Sequence, residues 1–340
     1  MRRYKRGSVL ILALWSLILL TSFTVTISYS MRQKLIVIKR LEERQDLRSI
    51  AESGIKKAIY KLRKSFGEEE KTYQALSDSW SKNEDSFKNI KIGDMGIVDV
   101  SYEYLDEAGL TNTVYGMVDE ERKVNINKVN DGKILEKLFV NVFDLDEYEA
   151  EDLAAALIDW RDSDNASLSA GGSTESSYYR NLKFPYEAKD SEYQIMDEVS
   201  LVKGVTEDIF KRIGDYITIY GDGKININTT SKEVLLALGL SESFAETILL
   251  YRDGEDGIPG TGDDMIFDAA DTIVSKISQF DSGMGGDILR LTALVDQGFL
   301  STTSNNFKIR AVAGLLNSNI RMETVCFVDK DGVILQWREQ

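Results

Sequence analysis

Carboxylates that follow a short aromatic motif are the side chains best suited to chemistry in this sequence. Asp162 and Asp164 stand two positions apart, directly after the Asp-Trp-Arg run at 159–161, and a loop rich in Gly and Ser leads on to Glu175. Calcium is bound by several carboxylate oxygens at once. If the loop folds back, Asp162, Asp164 and Glu175 could bind one Ca²⁺. The alternative interpretation is a helix end whose carboxylates are solvated.

A second acidic loop lies at residues 253–264, where Asp and Glu alternate with Gly. Its composition is that of a calcium loop, but the acidic residues lack the spacing of an EF-hand. We therefore expect a turn without a bound metal ion at this position.

The remaining chemistry-bearing residues are few. The chain of 340 residues contains no histidine and one cysteine, Cys326. Without histidine the commonest general base and metal ligand is missing, and with one cysteine no internal disulfide can form. Ser is plentiful, but the G-x-S-x-G motif of hydrolases is absent from the sequence. These features disfavour an enzyme.

The N-terminus has the composition of a membrane anchor. A basic leader ends in Gly7, and an uncharged run then extends from Ser8 to Ser30. A helix of about 20 apolar residues spans the hydrocarbon core of a bilayer, so residues 8–30 are predicted to be a transmembrane helix. A cleaved secretory signal peptide has a shorter apolar core followed by small residues, whereas this run is followed by charged residues. A plain signal anchor stays open. The apolar side chains that we expect to face lipid or neighbouring helices are Leu12, Leu14, Trp15, Leu17 and Leu19.

Charge is divided unevenly along the chain. The first 64 residues contain 15 Lys and Arg against 4 Asp and Glu, and the remaining 276 contain 26 against 52. The basic residues of the leader favour a cytoplasmic N-terminus by the positive-inside tendency. The chain is therefore predicted to cross the inner membrane once, with its N-terminus in the cytoplasm and its acidic bulk in the periplasm. An acidic body disfavours binding to nucleic acid, which needs a basic surface.

The membrane helix is predicted to continue to residue 65. Between residues 31 and 64, Gly54 is the one glycine and there is no proline. Apolar residues spaced three and four apart form one face of a helix, and they are Leu47, Ile50, Ala51, Ile55, Ala58, Ile59 and Leu62. This face requires a sheet to pack against. A separate amphipathic helix after a break is the alternative.

The remaining pattern predicts an α+β protein with an insertion. Strand-like runs at 97–105 and 113–120 are followed, after a long helical stretch, by three more at 307–313, 320–328 and 333–337. Each group is too small to be stable alone, so we expect one small antiparallel sheet from both. The predicted domains are a leader at 1–7, a transmembrane helix at 8–30, its amphipathic continuation at 31–65, a sheet domain at 66–121 and 304–340, and an inserted α-helical domain at 122–303.

The inserted domain contains an internal repeat. The sequence KVNIN at 123–127 returns as KININ at 224–228, and helix-like segments follow both copies. The turn Leu238-Gly239-Leu240 in the second copy resembles a helix-hairpin-helix repeat, a SAM-like arrangement of short helices. The run ININTT at 225–230, followed by LLALGL at 235–240, resembles the membrane-anchored DNA receptors of natural competence. Residues 201–205 are a further possible hairpin turn. Since Asp146 and Glu242 lie beside the turns and would repel phosphate, packing is the favoured role over DNA binding.

Two features resemble one family more specifically. The basic leader that ends at Gly7, before a retained apolar helix, resembles the leader of type IV prepilins and pseudopilins. The run D-W-R-D-S-D at 159–164, with Glu175, Tyr178-Tyr179, Pro185-Tyr186 and E-V-S-L-V-K-G at 198–204, resembles the protein K family of type II secretion. This sequence departs from that pattern at Arg161, where the family has an apolar residue, and in its longer Ser-rich loop.

The resemblance implies a minor pseudopilin at the tip of the type II secretion pseudopilus. Prepilin peptidase would cut between Gly7 and Ser8, leaving the apolar helix attached. Most pseudopilins have Glu at the fifth mature position, which is Leu12 here, and its absence is a feature of protein K. The resemblance further implies the minor pseudopilins I and J and other secretion components as partners, calcium in the α-domain, assembly rather than catalysis, and no nucleic-acid ligand. A membrane-anchored helix-hairpin-helix DNA receptor is the alternative function.

Overall fold

The computed structural model describes residues 6–67, 71–105, 111–162, 175–281, 285–316 and 318–339, with the side chains of 6–8, 105 and 175–177 excepted.

A single N-terminal helix, α1 (Arg6–Gly67), runs for 62 residues without a break. At 1.5 Å per residue it is about 93 Å long. The apolar face predicted for its second half is confirmed, since six of its residues are no more than 2% exposed: Leu47, Ile50, Ala51, Ile55, Ala58 and Leu62. Within the described residues this is the one helix that is long and apolar enough to cross a membrane, and none of its apolar window is buried inside the protein.

The face of α1 packs on an antiparallel sheet. Strands β1 (Ile90–Ile92), β2 (Gly96–Val100), β10 (Asn306–Leu315), β11 (Arg321–Asp329) and β12 (Ile334–Glu339) lie side by side in that order. The short β5 (Val118–Asp119) pairs with Phe307 and Lys308 at the start of β10. Apolar side chains of β2, β10 and β11 meet those of α1 in one buried cluster. The predicted long helix on a small antiparallel sheet is thus confirmed.

Gly54 lies at a close contact between α1 and the sheet. A Cβ atom at this position would lie 2.7 Å from Cγ2 of Val98 on β2. Val98 is fully buried. The glycine that interrupts the helical pattern is therefore a packing requirement of the helix–sheet contact.

The N-terminal strands differ from the prediction in one respect. The predicted strand at 97–105 is divided at Ser101: β2 joins the main sheet, whereas β3 (Tyr102–Leu105) pairs with β4 (Thr111–Val114) in a separate hairpin. The two predicted runs pair with each other only through β3 and β4, because β2 and β5 lie along the same edge of β10, at different positions. Residues 113–120 therefore cannot pair with 97–105 along their whole length.

The segment between β5 and β10 is mainly helical. Its helices are α3 (Gly132–Phe143), α4 (Glu147–Asp159), α5 (Glu175–Arg180), α6 (Glu207–Ile213), α7 (Lys232–Ala237), α8 (Glu242–Arg252), α9 (Ile273–Phe280) and α10 (Gly285–Asp296). One further short helix, α2 (Glu84–Phe87), precedes β1. The apolar faces of α3, α4, α7 and α8 form a second buried cluster, separate from the one under α1.

Two short parallel strand pairs hold this helical part together. Strand β6 (Val124–Asn125) pairs with β7 (Ile217–Thr218), and β8 (Ile225–Asn226) pairs with β9 (Leu300–Ser301). Each pair begins with one copy of the KxNxN repeat. The repeat therefore marks the entry of the chain into each half of the helical segment. The residue limits proposed for the domains stay predictions.

Candidate assembly surfaces and metal site

The apolar N-terminal half of α1 has no covering from the rest of the described chain. The five predicted surface residues, Leu12, Leu14, Trp15, Leu17 and Leu19, are all exposed. Hydroxyls of Ser16, Thr21, Thr24 and Thr26 donate to helix carbonyls three or four residues earlier, which satisfies them within the helix. A surface of this kind requires lipid or other helices around it.

The predicted cleavage site lies at the start of this helix. Gly7 and Ser8 are in the first turn of α1, which begins at Arg6. The Ser8 side chain lies outside the described residues, as does the leader up to residue 5. Cleavage between Gly7 and Ser8 stays a prediction.

The predicted calcium ligands are described only in part. Asp162 is half-buried in the turn that follows α4, whereas Asp164 and the side chain of Glu175 lie outside the described residues. No group of three potential ligands comes together in the rest of the described chain. Asp162 offers the carboxylate oxygens that Ca²⁺ prefers, so the donor type fits, and calcium stays a proposal.

Arg161, which departs from the family pattern, has a definite structural role. Its Nη1 donates to the backbone O of Asn127 at 2.7 Å, and its Nη2 donates to the backbone O of Val129. In the second repeat, Arg252 donates to the backbone O of Thr230 at 2.6 Å. Arg161 lies just beyond the end of α4 and Arg252 is the last residue of α8, and each donates to the loop after its own copy of KxNxN. Arg161 therefore makes in the first repeat the kind of contact that Arg252 makes in the second.

The asparagines of the repeat form matching clamps. Asn127 accepts from the backbone N–H of Tyr193 at 2.8 Å and donates to its carbonyl at 2.9 Å. Asn228 makes the same two bonds to Phe267, both at 2.9 Å. In each copy the first asparagine accepts from the backbone N–H of the second. Thus the sequence repeat is also a repeat of hydrogen bonds.

The helix pairs of both copies are joined by turns of the same kind. In the α7–α8 turn, Gly239 has φ 88°, Leu240 follows, and Ser241 caps α8 by accepting from the N–H of Phe244. In the α3–α4 turn, Asp144 takes the left-handed position with φ 55°. Leu145 follows, and Asp146 caps α4 by accepting from the N–H of Glu149. The first copy thus has Asp144 where the second has Gly239.

The predicted third turn has the same three parts: a residue in the left-handed conformation, an apolar residue and an N-cap. Gly204 has φ 86°, Val205 follows, and Thr206 caps α6 by accepting from the N–H of Ile209. The segment before it, Met196–Leu201, is a 3-10 helix rather than an α-helix. Residues 201–205 therefore connect a 3-10 helix to α6, and a helix-hairpin-helix unit at this position stays a prediction.

The second acidic loop is ordered by its own carboxylates. Asp263 accepts from the backbone N–H groups of Glu255 and Asp256, and Asp264 accepts from those of Gly260 and Thr261. The pKa of Asp263 is lowered, and the hydrogen bond from the Thr261 hydroxyl is the largest cause. In this turn the two carboxylates accept hydrogen bonds from backbone N–H groups of the same loop.

Sequence reasoning missed a buried acidic run where the sheet meets the helical segment. Asp119, Glu120 and Glu121 are each no more than 3% exposed. The carboxylate of Asp119 accepts from the hydroxyls of Thr229 at 2.5 Å and Ser304 at 2.6 Å. It also accepts from the side-chain amide of Asn226 at 3.3 Å. This single side chain therefore joins β5, the second repeat and the approach to β10.

The two glutamates of this run have their own partners. Glu120 accepts from Lys123 Nζ and from the Thr218 hydroxyl, both at 2.6 Å. Glu121 accepts from the backbone N–H of Asn306 at 3.0 Å and from its side-chain amide at 2.7 Å. Burial raises the pKa of Asp119. Burial together with the neighbouring Asp119 carboxyl raises the pKa of Glu121 to about 8.

Further contacts attach the helical segment to the end of the sheet. The ring of Tyr220 stacks on Phe327 of β11 with 4.6 Å between centroids, and its hydroxyl bonds to Gln336 Oε1 at 2.5 Å. Arg338 of β12 forms an ion pair with Asp197 at 2.7 Å. The two parts of the body are thus held together both at β5 and along β11 and β12.

Comparison with known proteins agrees with the resemblance read from the sequence. Residues 117–222 match the family model described as Type II secretion system (T2SS), protein K. The type II secretion system protein K of Aeromonas hydrophila is 34% identical over 104 residues, which are 29% of this chain and 31% of that protein. The match thus spans about a third of the length of this curated relative.

A solved structure shows the fold of nearly the whole chain. A chain in the crystal structure of the GspK-GspI-GspJ complex from the type 2 secretion system of enterotoxigenic Escherichia coli matches with a TM-score of 0.66 and 16% sequence identity. The match covers 89% of this chain and 99% of that chain. The solved structure therefore shows the fold, and residues 117–222, from β5 to just beyond β7, are similar in sequence to protein K of type II secretion.

Proposed function

We propose that this chain is a minor pseudopilin of a type II secretion system and acts in assembly rather than catalysis. The observation that carries the proposal is the protein K match over residues 117–222, in a chain whose long apolar helix packs on an antiparallel sheet. The similar solved chain comes from a complex named for GspK, GspI and GspJ. We therefore propose the minor pseudopilins I and J as partners, through the exposed half of α1.

The proposed position is the tip of the pseudopilus. Leu12 lies where most pseudopilins have the glutamate that pairs with a neighbouring subunit. A carboxylate in hydrocarbon is costly unless it is paired, so a subunit with no neighbour above it can dispense with one. The bulky helical segment would block addition above it. In that position the chain would help initiate the pseudopilus and support protein export across the outer membrane.

The proposed location is the inner membrane, crossed once with the N-terminus in the cytoplasm. Prepilin peptidase would cut between Gly7 and Ser8. The test is mass spectrometry of the chain from cells with and without prepilin peptidase. We expect a mature chain that begins at Ser8 only when the peptidase is present. A chain that begins at Met1 in both strains, or is cut beyond Ser30, would contradict the pseudopilin assignment.

Partner binding has a separate test. Purified chains of pseudopilins I and J should co-elute with this chain, and a charge placed on the helix surface, as in Leu12→Lys, should weaken the assembly. A matched substitution on the packed part of the same helix, Lys56→Glu, should leave it intact. Co-elution that is equally strong for both variants would show that α1 is not the contact.

Calcium in the helical segment is proposed from Asp162, Asp164 and Glu175. Calorimetric titration of the metal-free chain should give one site that is lost in Asp162→Ala and Asp164→Ala and retained in Asp331→Ala, a change at an exposed turn. Heat of binding that survives both changes would remove these residues from the site.

The helix pairs are proposed to be helix-hairpin-helix units used for packing. In the second unit, the Ser241 N–H, of the kind that would face phosphate in a DNA-binding hairpin, already donates to Asp287 at 2.9 Å. The competing DNA receptor predicts salt-dependent binding of duplex DNA by residues 65–340. We expect no such binding.

A further inference from the structure

The segment of α1 between the membrane run and the sheet, residues 31–41, is here named the neck. Its apolar side chains are all exposed, and they are Met31, Leu35, Ile36, Val37, Ile38 and Leu41. Packing of α1 on the sheet begins only at Leu47. The neck is therefore a free length of helix with aliphatic surface and no cover from the rest of the described chain.

The neck is apolar on every side rather than on one face. Leu35, Ile36, Val37 and Ile38 are consecutive, and successive residues of an α-helix point about 100° apart. These four side chains thus surround the axis. A protein groove covers one stripe of a helix, whereas a lipid environment covers its whole circumference. The arrangement favours lipid.

The charges of the neck have one sign. Arg32, Lys34, Lys39 and Arg40 are its charged residues, and the first acidic residue after the membrane run is Glu42. Long basic side chains beside a membrane extend their charge toward lipid phosphates while their aliphatic stems stay in the apolar region. The charge pattern complements an anionic phospholipid surface.

The length of the helix agrees with this placement. From Ser8 to Ile38 it rises about 46 Å at 1.5 Å per residue. A bilayer is about 40–45 Å thick with its headgroups included, around a hydrocarbon core of about 30 Å. With Ser8 at the outer edge of the cytoplasmic headgroup layer, the helix up to Ile38 therefore crosses the core and the headgroup layer on the far side, where most of the neck lies.

We propose that the neck is a lipid-binding segment that lies in the periplasmic headgroup layer, with Lys34, Lys39 and Arg40 on anionic phospholipid. This rests on the membrane anchoring in the proposed function. The folded body would then begin close above the membrane. The basic neck would separate the acidic body from the negatively charged lipid surface.

The test places a fluorophore on the full chain at three depths. Single cysteines at Leu17, Val37 and Lys56 are labelled in vesicles of phosphatidylcholine and phosphatidylglycerol in equal parts, and quenchers attached to lipids report depth. Cys326 is buried and stays in place, with the unsubstituted chain as the blank. We expect strong quenching by acyl-chain quenchers at Leu17, by headgroup quenchers at Val37, and by neither at Lys56, which is 72% exposed on the packed part of α1.

The charge dependence is tested with two matched triple variants. Lys34→Gln/Lys39→Gln/Arg40→Gln should lose the additional quenching at Val37 that phosphatidylglycerol produces over pure phosphatidylcholine. Lys56→Gln/Lys57→Gln/Lys61→Gln removes the same charge from the same helix and should retain it. Equal behaviour of the two triples would overturn the role of the neck charges.

The remaining outcomes separate the two proposals. If Leu17 is quenched and Val37 is not, the neck proposal is wrong and the anchor stands. If Leu17 is not quenched either, the membrane anchoring fails and the neck proposal fails with it. If Val37 leaves water only after pseudopilins I and J are added, a protein partner covers the neck instead of lipid.

Discussion

At the scale of single residues, substitution of the buried asparagines and carboxylates is expected to reduce the free energy of unfolding most. Asn127 and Asn228 each bond to both the backbone N–H and the backbone carbonyl of a residue distant in the sequence. A buried polar group that loses its partner costs more free energy than the bond itself contributes. Such residues fix loop positions that apolar packing leaves free.

We predict that Asn228→Ala lowers the free energy of unfolding by about 2–4 kcal/mol, because the N–H and C=O of Phe267 both become unsatisfied. The control is Asn141→Ala on the exposed side of α3, which should change the free energy by no more than about 0.5 kcal/mol. Denaturant unfolding of both variants is the measurement. Equal losses would show that the clamp contributes nothing specific.

Glu121 gives a prediction for pH. Its pKa is 4.5 in the reference state and about 8 when buried in the fold. Between these values the folded chain keeps a proton that the unfolded chain has released, so the free energy of unfolding falls as pH rises. Glu121→Gln cannot ionise and should lose this part of the pH dependence, becoming the more stable chain relative to wild type toward pH 8.

The measurement is denaturant unfolding at a series of pH values from 4.5 to 8. The control is Glu151→Gln, at an exposed position of α4, which should keep the slope of the wild type. Parallel curves for wild type and Glu121→Gln would refute the assignment of a raised pKa.

At the scale of elements, the helix–sheet contact depends on glycines that leave room for neighbouring side chains. Gly54 on α1 faces Val98 on β2. A Cβ atom at Gly96 on β2 would lie 2.6 Å from Cδ1 of Ile50 on α1. Small residues on both sides bring the helix axis near the sheet, and the larger side chains of α1 then pack to either side.

We predict that Gly54→Ala destabilises the chain by about 1–3 kcal/mol through overpacking, although alanine is the better helix former by about 1 kcal/mol. Adding Val98→Ala should recover part of the loss, since it removes the atoms that the new Cβ meets. Thermal unfolding of the single and double variants measures this coupling. Purely additive effects would mean that the two residues are not in contact.

At the scale of the whole molecule, two packing clusters are joined by a polar junction. The cluster under α1 and the cluster of the helical segment are separate. Asp119 stands between them with partners on both sides. Polar junctions of this kind fix the orientation of two parts, because each bond has a direction that apolar contact lacks.

We predict that Asp119→Ala costs more than about 3 kcal/mol, because Thr229, Ser304 and the N–H of Glu121 lose one acceptor together. Hydrogen exchange should show loss of protection at 119–123, 226–230 and 302–306 at once. Asp331→Ala, at an exposed turn, should leave all three protected. Loss confined to the residues beside 119 would show that the junction does not couple the two parts.

The sequence alone determined the long helix, its buried face, the three C-terminal strands and the repeated asparagine motif. Each of these is written in a local pattern. A helix face repeats every three to four residues and a strand face every two. The spacing of Leu47, Ile50 and Ile55 is therefore enough to show which face of α1 is buried. The protein K resemblance rested on local motifs as well, and the match over 117–222 confirmed it.

The tertiary structure decided the break at Ser101, the left-handed role of Asp144 and the whole Asp119–Glu121 junction. The break depends on two strands sharing one edge of β10, and the position of Asp144 is clear only beside Gly239 in the other repeat. The junction joins residues more than a hundred positions apart. A carboxylate in a sequence is read as solvated by default. Only packing of distant segments shows that Asp119 is buried and what keeps it there.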